Sequence, residues 1–593
     1  MPWIEDCFRS HPACSNVHGS GGSGGPHEPF IWSAHAAIKV PPPDMKPNLP
    51  PRVLDIGPPW SNDYISLIET KGAKFHYVAL TYSWGKVEVY KTTANNIQAH
   101  KLGISTRRMN RTFTDAIDIA RRLGFRYLWI DALCILQGSD DDWNRHTHII
   151  NDIYANATLT ISASGAISAN STLISEYKHL TFVKMPYLTR EGTPGGNYYL
   201  RWPAEHIVSQ AVDGELSKRG WCLQERILSR RLLHMGSMEM EWECRTRFRR
   251  ENDFIWDSSR KDLWDGQGEE DPGERDCQPW EGSSMFKVLH LGEIFSTGAL
   301  SVSELGEIIN SREPGRLKKK GWSSTDRETT GPVEEIYDAW YRMVQDYCRR
   351  EITIESDRLP AIAGIAQKFA AITHDAYVGG LWANDLASGL LWERGVIATA
   401  VDPSVNPSAV GLVLKTPKVK RASSWSWLAL DGPKCFASLT TSLWPWRRNQ
   451  ARIFDFEFME EKSDGKSSGR MDNTILTFSG VVDTLEALTG WKINEDNIGK
   501  DDYAISLSSG PEHNGRIVLD APENDPLKAL KDTLYLLPVN ITIPHTKTIL
   551  ECLLLHYVGP NNSFKRVGMG VFDYPGVFSL ADTRLPQRRI TLV

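Results

Sequence analysis

Two carboxylates and four companions carry most of the chemistry this chain advertises. Asp131 interrupts the apolar run YLWIDALCI, and Glu225 lies in the segment RGWCLQERILSRR together with Arg219. Ser83, Trp84 and Gly85 close a third segment, YVALTYSWG, offering a hydroxyl, an aromatic face and a backbone amide. A carboxylate at the ligand edge of a sheet can act as a base or stabilise an oxocarbenium ion. Glu225 is the first choice for that work and Asp131 the second acidic group. Each has a structural alternative. Asp131 can cap a helix or pair with Arg219, and Glu225 can cap or pair with Arg226 or Arg230. Trp84, Trp129, Trp143 and Trp221 read first as core aromatics. Cys134 and Cys222 sit in apolar sequence with no adjacent histidine, which argues against a thiolate nucleophile.

These residues need a scaffold that brings them together. The run YVALTYSW is β-rich and stops at Gly85. A helix follows, with Thr112 and Asp115 as a capping-box-like start, Phe113, Ala116, Ile117, Ala120 and Leu123 as its apolar stripe, and Gly124 at its end. YLWIDALCI reads as a nearly unbroken buried strand. Asp140 to Asp142 suit the positive N-terminal end of a second helix through Trp143, Ile149, Ile150 and Ile153. TLTISAS, from Thr158 to Ser164, alternates as a third strand. Strand, helix, strand, helix, strand implies right-handed crossovers and an α/β fold with a central, mostly parallel sheet flanked by helices. In such a sheet ligands bind beyond the carboxyl ends of the strands, so Ser83, Trp84, Gly85, Asp131, Cys134, Ser162 and Ser164 should converge there. RGWCLQE then acts as lid or neighbour. Further on, Glu239 to Cys244 alternates acid and apolar residues, the pattern of a strand with one wet face.

The chain has 593 residues, which favours two to four structural units. Residues 1–50 read as a flexible leader rich in Gly and Pro, and residues 51–255 as the α/β unit. Residues 256–334 form a charged, partly disordered insertion with a short helix near Phe286 to Ile294, and residues 335–435 a helical region. In that region Ile336, Trp340, Met343, Val344 and Tyr347 keep helical spacing, and a second helix starts behind Pro360. Residues 436–593 form a β-rich unit with strands at Ile475 to Val482, Thr533 to Val539, Leu550 to Leu555 and Arg566 to Phe572.

Net charge is −6, so the whole chain offers no field suited to a phosphate backbone, and nucleic acid is set aside as a partner. The nine cysteines have no repeating spacing and no apolar leader precedes them, which points to reduced thiols and a cytoplasmic protein. No stretch is apolar for the roughly 20 residues a transmembrane helix needs. GSGGSG at residues 19–24 matches a dinucleotide fingerprint in letters only, lacking the strand and helix that give the motif its meaning. Cys7, His11, Cys14 and His18 have the residue types of a zinc site. In so glycine- and proline-rich a segment they read as a chance set, and no metal is expected.

Taken together and in this order, YVALTYSWG, YLWIDALCI and RGWCLQERILSRR resemble the HET (heterokaryon incompatibility) domain of filamentous fungi, and GGLW, LLW and SSWSWLAL resemble the companion region that follows it. The resemblance spans about residues 77–431. It implies a TIR- or flavodoxin-like sheet and a role in self/non-self recognition, with the domain acting as a cell-death-type effector on a protein partner. It leaves room for oligomerisation on activation. The TIR comparison implies an alternative, an NAD glycohydrolase. Glu225 and Asp131 would then be its acidic groups, Trp84 would stack on a ring, and Ser83, Gly85 and Arg219 would hold the cofactor NAD. That enzyme reading rests on fold-level analogy alone. WNRHTHIINDIY departs from the family at its helix, with His146 and Ile150 where acidic residues and a Met are common, which weighs against it. A regulatory protein that kept the fold and lost toxicity is the third reading.

Overall fold

Buried, β-branched and aromatic runs build the centre of a mixed sheet in the computed structural model. It describes residues 2–11, 14, 46–58, 60–61, 63–174, 183–189, 192–200, 211, 214–237, 239–245, 248–250, 332–394, 414–436, 450–452, 455–458, 476–484, 504–510, 513–520, 534–542, 548–559, 562–574 and 587–593. The Phe286 to Ile294 helix and nearly all of the expected insertion lie outside these residues. Two compact units emerge, Met1–Thr297 with Pro360–Ile365, and Gly298–Leu359 with Ala366–Val593.

In the first unit the described strands are β1 (Arg52–Asp55), β2 (Tyr64–Glu69), β3 (Tyr77–Thr81), β4 (Ile104–Ser105), β5 (Tyr127–Trp129), β6 (Leu159–Ser162), β9 (Arg231–Met235), β10 (Met240–Cys244) and β11 (Phe248–Arg250), with a separate hairpin of β7 (Val183–Leu188) and β8 (Pro194–Leu200). The nine form one sheet in the order β11-β10-β9-β6-β3-β5-β1-β2-β4. β3 runs parallel to β5 and β6, and β6 parallel to β9. The pairs outside that core, β1 with β5 and β2, β2 with β4, and β10 with β9 and β11, are antiparallel. The sheet is therefore mixed, and only its centre keeps the expected parallel order. Short connections account for the antiparallel pairs of consecutive strands, β1 with β2, β9 with β10 and β10 with β11, because a parallel neighbour needs a long crossover, whereas β5 and β4 come back to β1 and β2 from further along the chain.

Six helices accompany the sheet among the described residues: α1 (Pro2–Ser10), α2 (Ile97–Leu102), α3 (Arg111–Leu123), α4 (Asp131–Cys134), α5 (Asp140–Asn156) and α6 (Gly220–Leu228). Three sequence expectations change here. First, Thr112 and Asp115 do not cap α3, whose N-cap is Asn110. Thr112 Oγ1 donates to the carbonyls of Ser168 and Ser171, while Asp115 accepts from Thr172 Oγ1 and the Leu173 amide. A long-range loop outbids the local cap. Secondly, YLWIDALCI leaves the sheet after Trp129, and Asp131 opens α4. Thirdly, the acidic face of β10 is not wet. Glu239, Glu241 and Glu243 are all buried, because Arg250, Arg226, His234 and the Ala211 amide compensate them. The other helix signals hold: Gly124 ends α3 at φ 95°, and Asp140, Asp141 and Asp142 fill the first turn of α5, whose cap is Ser139, accepting from the Asp142 amide.

The second unit opens with α7 (Pro332–Arg349), which buries Trp340, Met343, Val344 and Tyr347 as its spacing requires. α8 (Pro360–Thr373), of which Pro360–Ile365 group with the first unit and only the remainder with the second, starts with proline where a missing N–H costs nothing. α9 (Leu386–Leu390) and the short pairs β12 (Tyr377–Val378) with β13 (Leu381–Trp382) and β14 (Trp392–Arg394) with β15 (Lys434–Phe436) complete that region. The remaining described strands form a ten-stranded sheet: β16 (Gln450–Arg452), β17 (Asp455–Phe458), β18 (Leu476–Val481), β19 (Asp483–Thr484), β20 (Ala504–Gly510), β21 (His513–Leu519), β22 (Leu534–Thr542), β23 (Thr548–Gly559), β24 (Ser563–Tyr574) and β25 (Gln587–Leu592). All four strands expected from sequence in this part are present, as β18, β22, β23 and β24.

Candidate functional site

The chain visits β3, then β5 on one side of it, then β6 on the other. Strand order thus reverses at β3, and the crevice at the carboxyl ends of β3 and β5 is where an α/β sheet holds ligands. Four of the six expected residues come from those two strand ends, Ser83, Trp84 and Gly85 after β3 and Asp131 after β5. The other two arrive on α6, for which Arg219 is the N-cap residue and Glu225 lies in the second turn.

Hydrogen bonds link them in pairs. Thr81 Oγ1, at the last residue of β3, donates to Glu225 Oε2 and lies 3.8 Å from Cys222 Sγ. The Trp84 indole donates to Asp131 Oδ2 at 3.1 Å, and the Ala132 amide to Asp131 Oδ1 at 2.7 Å. The Arg219 guanidinium donates to Ser83 Oγ at 3.1 Å and reaches the Tyr82 carbonyl at 3.5 Å. Asp131, Glu225, Ser83, Trp84 and Arg219 are all half-buried, and Gly85 is exposed. The cluster is therefore satisfied internally and only partly withdrawn from solvent.

Its electrostatics set the two carboxyls apart from ordinary ones. Burial pushes Glu225 up to about 7, Asp131 adds to the rise, and Thr81 and Arg219 pull it back. Burial also raises Asp131 above the usual carboxylate range, against the opposing pull of Tyr82, the Ala132 amide, Trp84 and Arg219. A carboxyl near 7 is poised to give or take a proton at neutral pH. Arg219 is the cation shared by both acids. Cys134 has no such role, since burial pushes its thiol up to about 12.

Gly85 owes its identity to backbone geometry. Its φ is 65°, and a Cβ there would stand 2.5 Å from Ser168 Cβ and 2.9 Å from the Ile167 carbonyl. The tryptophans divide. Trp129 is sealed in the core against Tyr154, whereas Trp143 is 39% exposed and meets the half-buried Trp221 edge-on at 6.2 Å. Trp143 is thus not a core residue. His146, the departure from the family pattern, turns its Nδ1 to the Asp142 carbonyl at 2.8 Å.

Sequence reading missed two features. Thr81 was hidden inside an apolar run, though a lone hydroxyl at the end of such a run is a usable signal. Ser162 and Ser164, expected at the ligand edge, instead enter a buried relay. Ser162 Oγ bonds Ser164 Oγ at 2.9 Å, Ser164 Oγ meets His234 Nδ1 at 2.9 Å, and His234 Nε2 meets Glu243 Oε2 at 2.8 Å. Serine, histidine and carboxylate in series suggest a nucleophile, but Ser164, His234 and Glu243 are at most 3% exposed, and Arg226 already holds Glu243. The relay locks β6, β9 and β10 together.

Residues 77–225 match the family model described as heterokaryon incompatibility protein (HET). That span begins with β3 and ends on Glu225, so it contains every member of the cluster. No curated protein and no solved structure matches the chain.

Proposed function

We propose that this chain, whose residues 77–225 carry the heterokaryon incompatibility domain, is a fungal self/non-self recognition protein. In this reading residues 51–255 are a cell-death-type effector acting in the cytoplasm on a protein partner. The helical companion region (335–435) and the β-rich unit (436–593) restrain it or sense that partner, and activation proceeds by association. The family match carries the reading. Among the described residues no helix is long and apolar enough to cross a membrane.

A second reading has its own support. A half-buried cluster at a strand-order reversal, with a carboxyl near 7, a second acid, a shared arginine, a hydroxyl and an indole, suits a small anionic ligand such as NAD. Here Glu225 is the group that stabilises positive charge on the departing sugar carbon, Asp131 and Arg219 tune it, and Trp84 supplies a ring face.

One experiment separates the two. The full chain is expressed inducibly in fungal cells, wild type beside Glu225→Gln, with growth and cellular NAD followed together. Death with intact NAD, unaffected by the substitution, is the outcome expected of a binding effector. Death with NAD loss, both abolished by Glu225→Gln, would transfer the function to the glycohydrolase. A folded wild-type chain that leaves growth untouched would overturn the effector assignment.

A further inference from the structure

Away from those strand ends, three cysteines and a histidine meet where β10 ends. Cys7 and His11 are four residues apart, and the helical turn is continued beyond Ser10 by a bond from the His11 amide to the Cys7 carbonyl, which puts both side chains on one face. The Cys14 amide then bonds the His11 carbonyl and turns the third ligand back. The fourth, Cys244, comes from the last position of β10, 233 residues beyond His11. The four ligating atoms lie within 4.8 Å of one another and all four residues are buried. None of the three cysteines is in a disulfide.

We propose that Cys7, His11, Cys14 and Cys244 form a structural zinc site. A tetrahedral zinc with Zn–S near 2.3 Å and Zn–N near 2.0 Å spaces its ligands about 3.5–3.8 Å apart. The gap between Cys244 Sγ and His11 Nδ1 is 3.4 Å. Three thiolates with one imidazole form a closed donor set selective for zinc over the harder divalent cations. The outer groups also fit. His11 Nε2 faces Asp6 Oδ2 at 3.7 Å, an arrangement that keeps the proton on Nε2 and leaves Nδ1 for the metal. Binding releases three thiol protons and leaves the centre with one net negative charge. Buried Arg231 stands ready to offset it, donating to the Cys14 carbonyl at 2.6 Å while its guanidinium lies 4.9 Å over the Phe8 ring. The ion clips the N-terminal helix to β10, closing a loop of more than two hundred residues.

Spacing alone hid this set. Sequence groups Cys7, His11 and Cys14 with His18, whereas the structure completes the set with Cys244, a ligand no local pattern could supply.

The test uses the full chain purified without chelator, with metal content and native mass measured together. One zinc per chain is expected, lost in Cys14→Ser and Cys244→Ser and kept in Cys435→Ser, whose thiol lies outside the set. His11→Cys should keep the metal, since four thiolates also hold zinc, which guards against reading a folding defect as a lost ligand. Cobalt exchanged into the wild-type chain should give the visible bands and thiolate charge transfer of a tetrahedral site. On stripping the metal, amide exchange should rise in residues 2–11 and 240–244. A folded wild-type chain without stoichiometric metal and without cobalt bands would overturn the proposal. So would zinc retained in the Cys7→Ser, Cys14→Ser, Cys244→Ser triple variant, or a disulfide among these cysteines in protein isolated under reducing conditions.

Discussion

Glu225 holds a proton at a pH where a free glutamic acid has lost it, and that has a measurable sign. Its folded value of about 7 lies above the ordinary 4.5, so the folded state binds more protons between those limits and stability falls as pH rises through them. Above pH 7 the full penalty remains. Glu225→Gln keeps the Thr81 hydrogen bond and removes the charge, so it should stabilise the first unit by about 3 kcal/mol at pH 8 and leave it nearly unchanged at pH 4.5. Urea unfolding at the two pH values checks this. Arg219 pulls both carboxyls down, and Arg219→Met should therefore carry the Glu225 midpoint upward by about one unit, read from the carboxyl carbon shift in an NMR titration. A midpoint that stays put would mean solvent screens the pair.

At the scale of elements, the site depends on how β3 ends. Gly85 turns the chain at positive φ against the Ile167–Ser168 backbone, and the Ala169 amide bonds the Trp84 carbonyl, which fixes the indole over Asp131. Gly85→Ala should cost about 1–3 kcal/mol through strain and close approach, and should loosen Trp84, read as a change in its fluorescence. A parallel case stands in the second unit. Gly379 and Gly380 both have positive φ, and a Cβ on either would strike Trp425 or Trp427 at under 3 Å. Ser426 Oγ donates to the Gly379 carbonyl and the Trp427 indole to that of Gly380 at 2.7 Å. Gly380→Ala should lower the melting temperature by several degrees, because a rigid buried ring cannot step aside. GGLW and SSWSWLAL thus read as two halves of one packing motif.

At the scale of the whole molecule, long-range charged contacts bind segments that sequence treats separately. Arg566 on β24 is buried, pairs with Asp520 at 2.9 Å, donates to the Leu390 and Trp392 carbonyls, and stacks 3.6 Å from the Trp392 ring. The helical region and the β-rich sheet of the second unit are joined there. Arg566→Met should destabilise that unit by about 3–5 kcal/mol, since it strands a buried carboxylate beside carbonyls that lose their donor. Adding Asp520→Leu should recover part of the loss, and calorimetry of the single and double variants decides it.

The sequence by itself determined the local and periodic features. Strand β3, helices α3, α5, α7 and α8, four strands of the distal sheet and the convergence of Ser83, Trp84, Asp131, Arg219 and Glu225 at one edge were legible, because hydrophobic period and strand ends are properties of neighbouring residues. The three ordered segments were enough to suggest the HET family before any coordinate. Only the tertiary structure decided which polar groups partner across the chain. It made the margins of the sheet antiparallel, buried the acids of β10 under Arg250 and Arg226, drew Thr112 away from its cap, withdrew Ser162 and Ser164 into a sealed relay and brought Cys244 to Cys7, His11 and Cys14. Pairings of that kind depend on distance in space, and a linear pattern carries no record of it across a hundred or more residues.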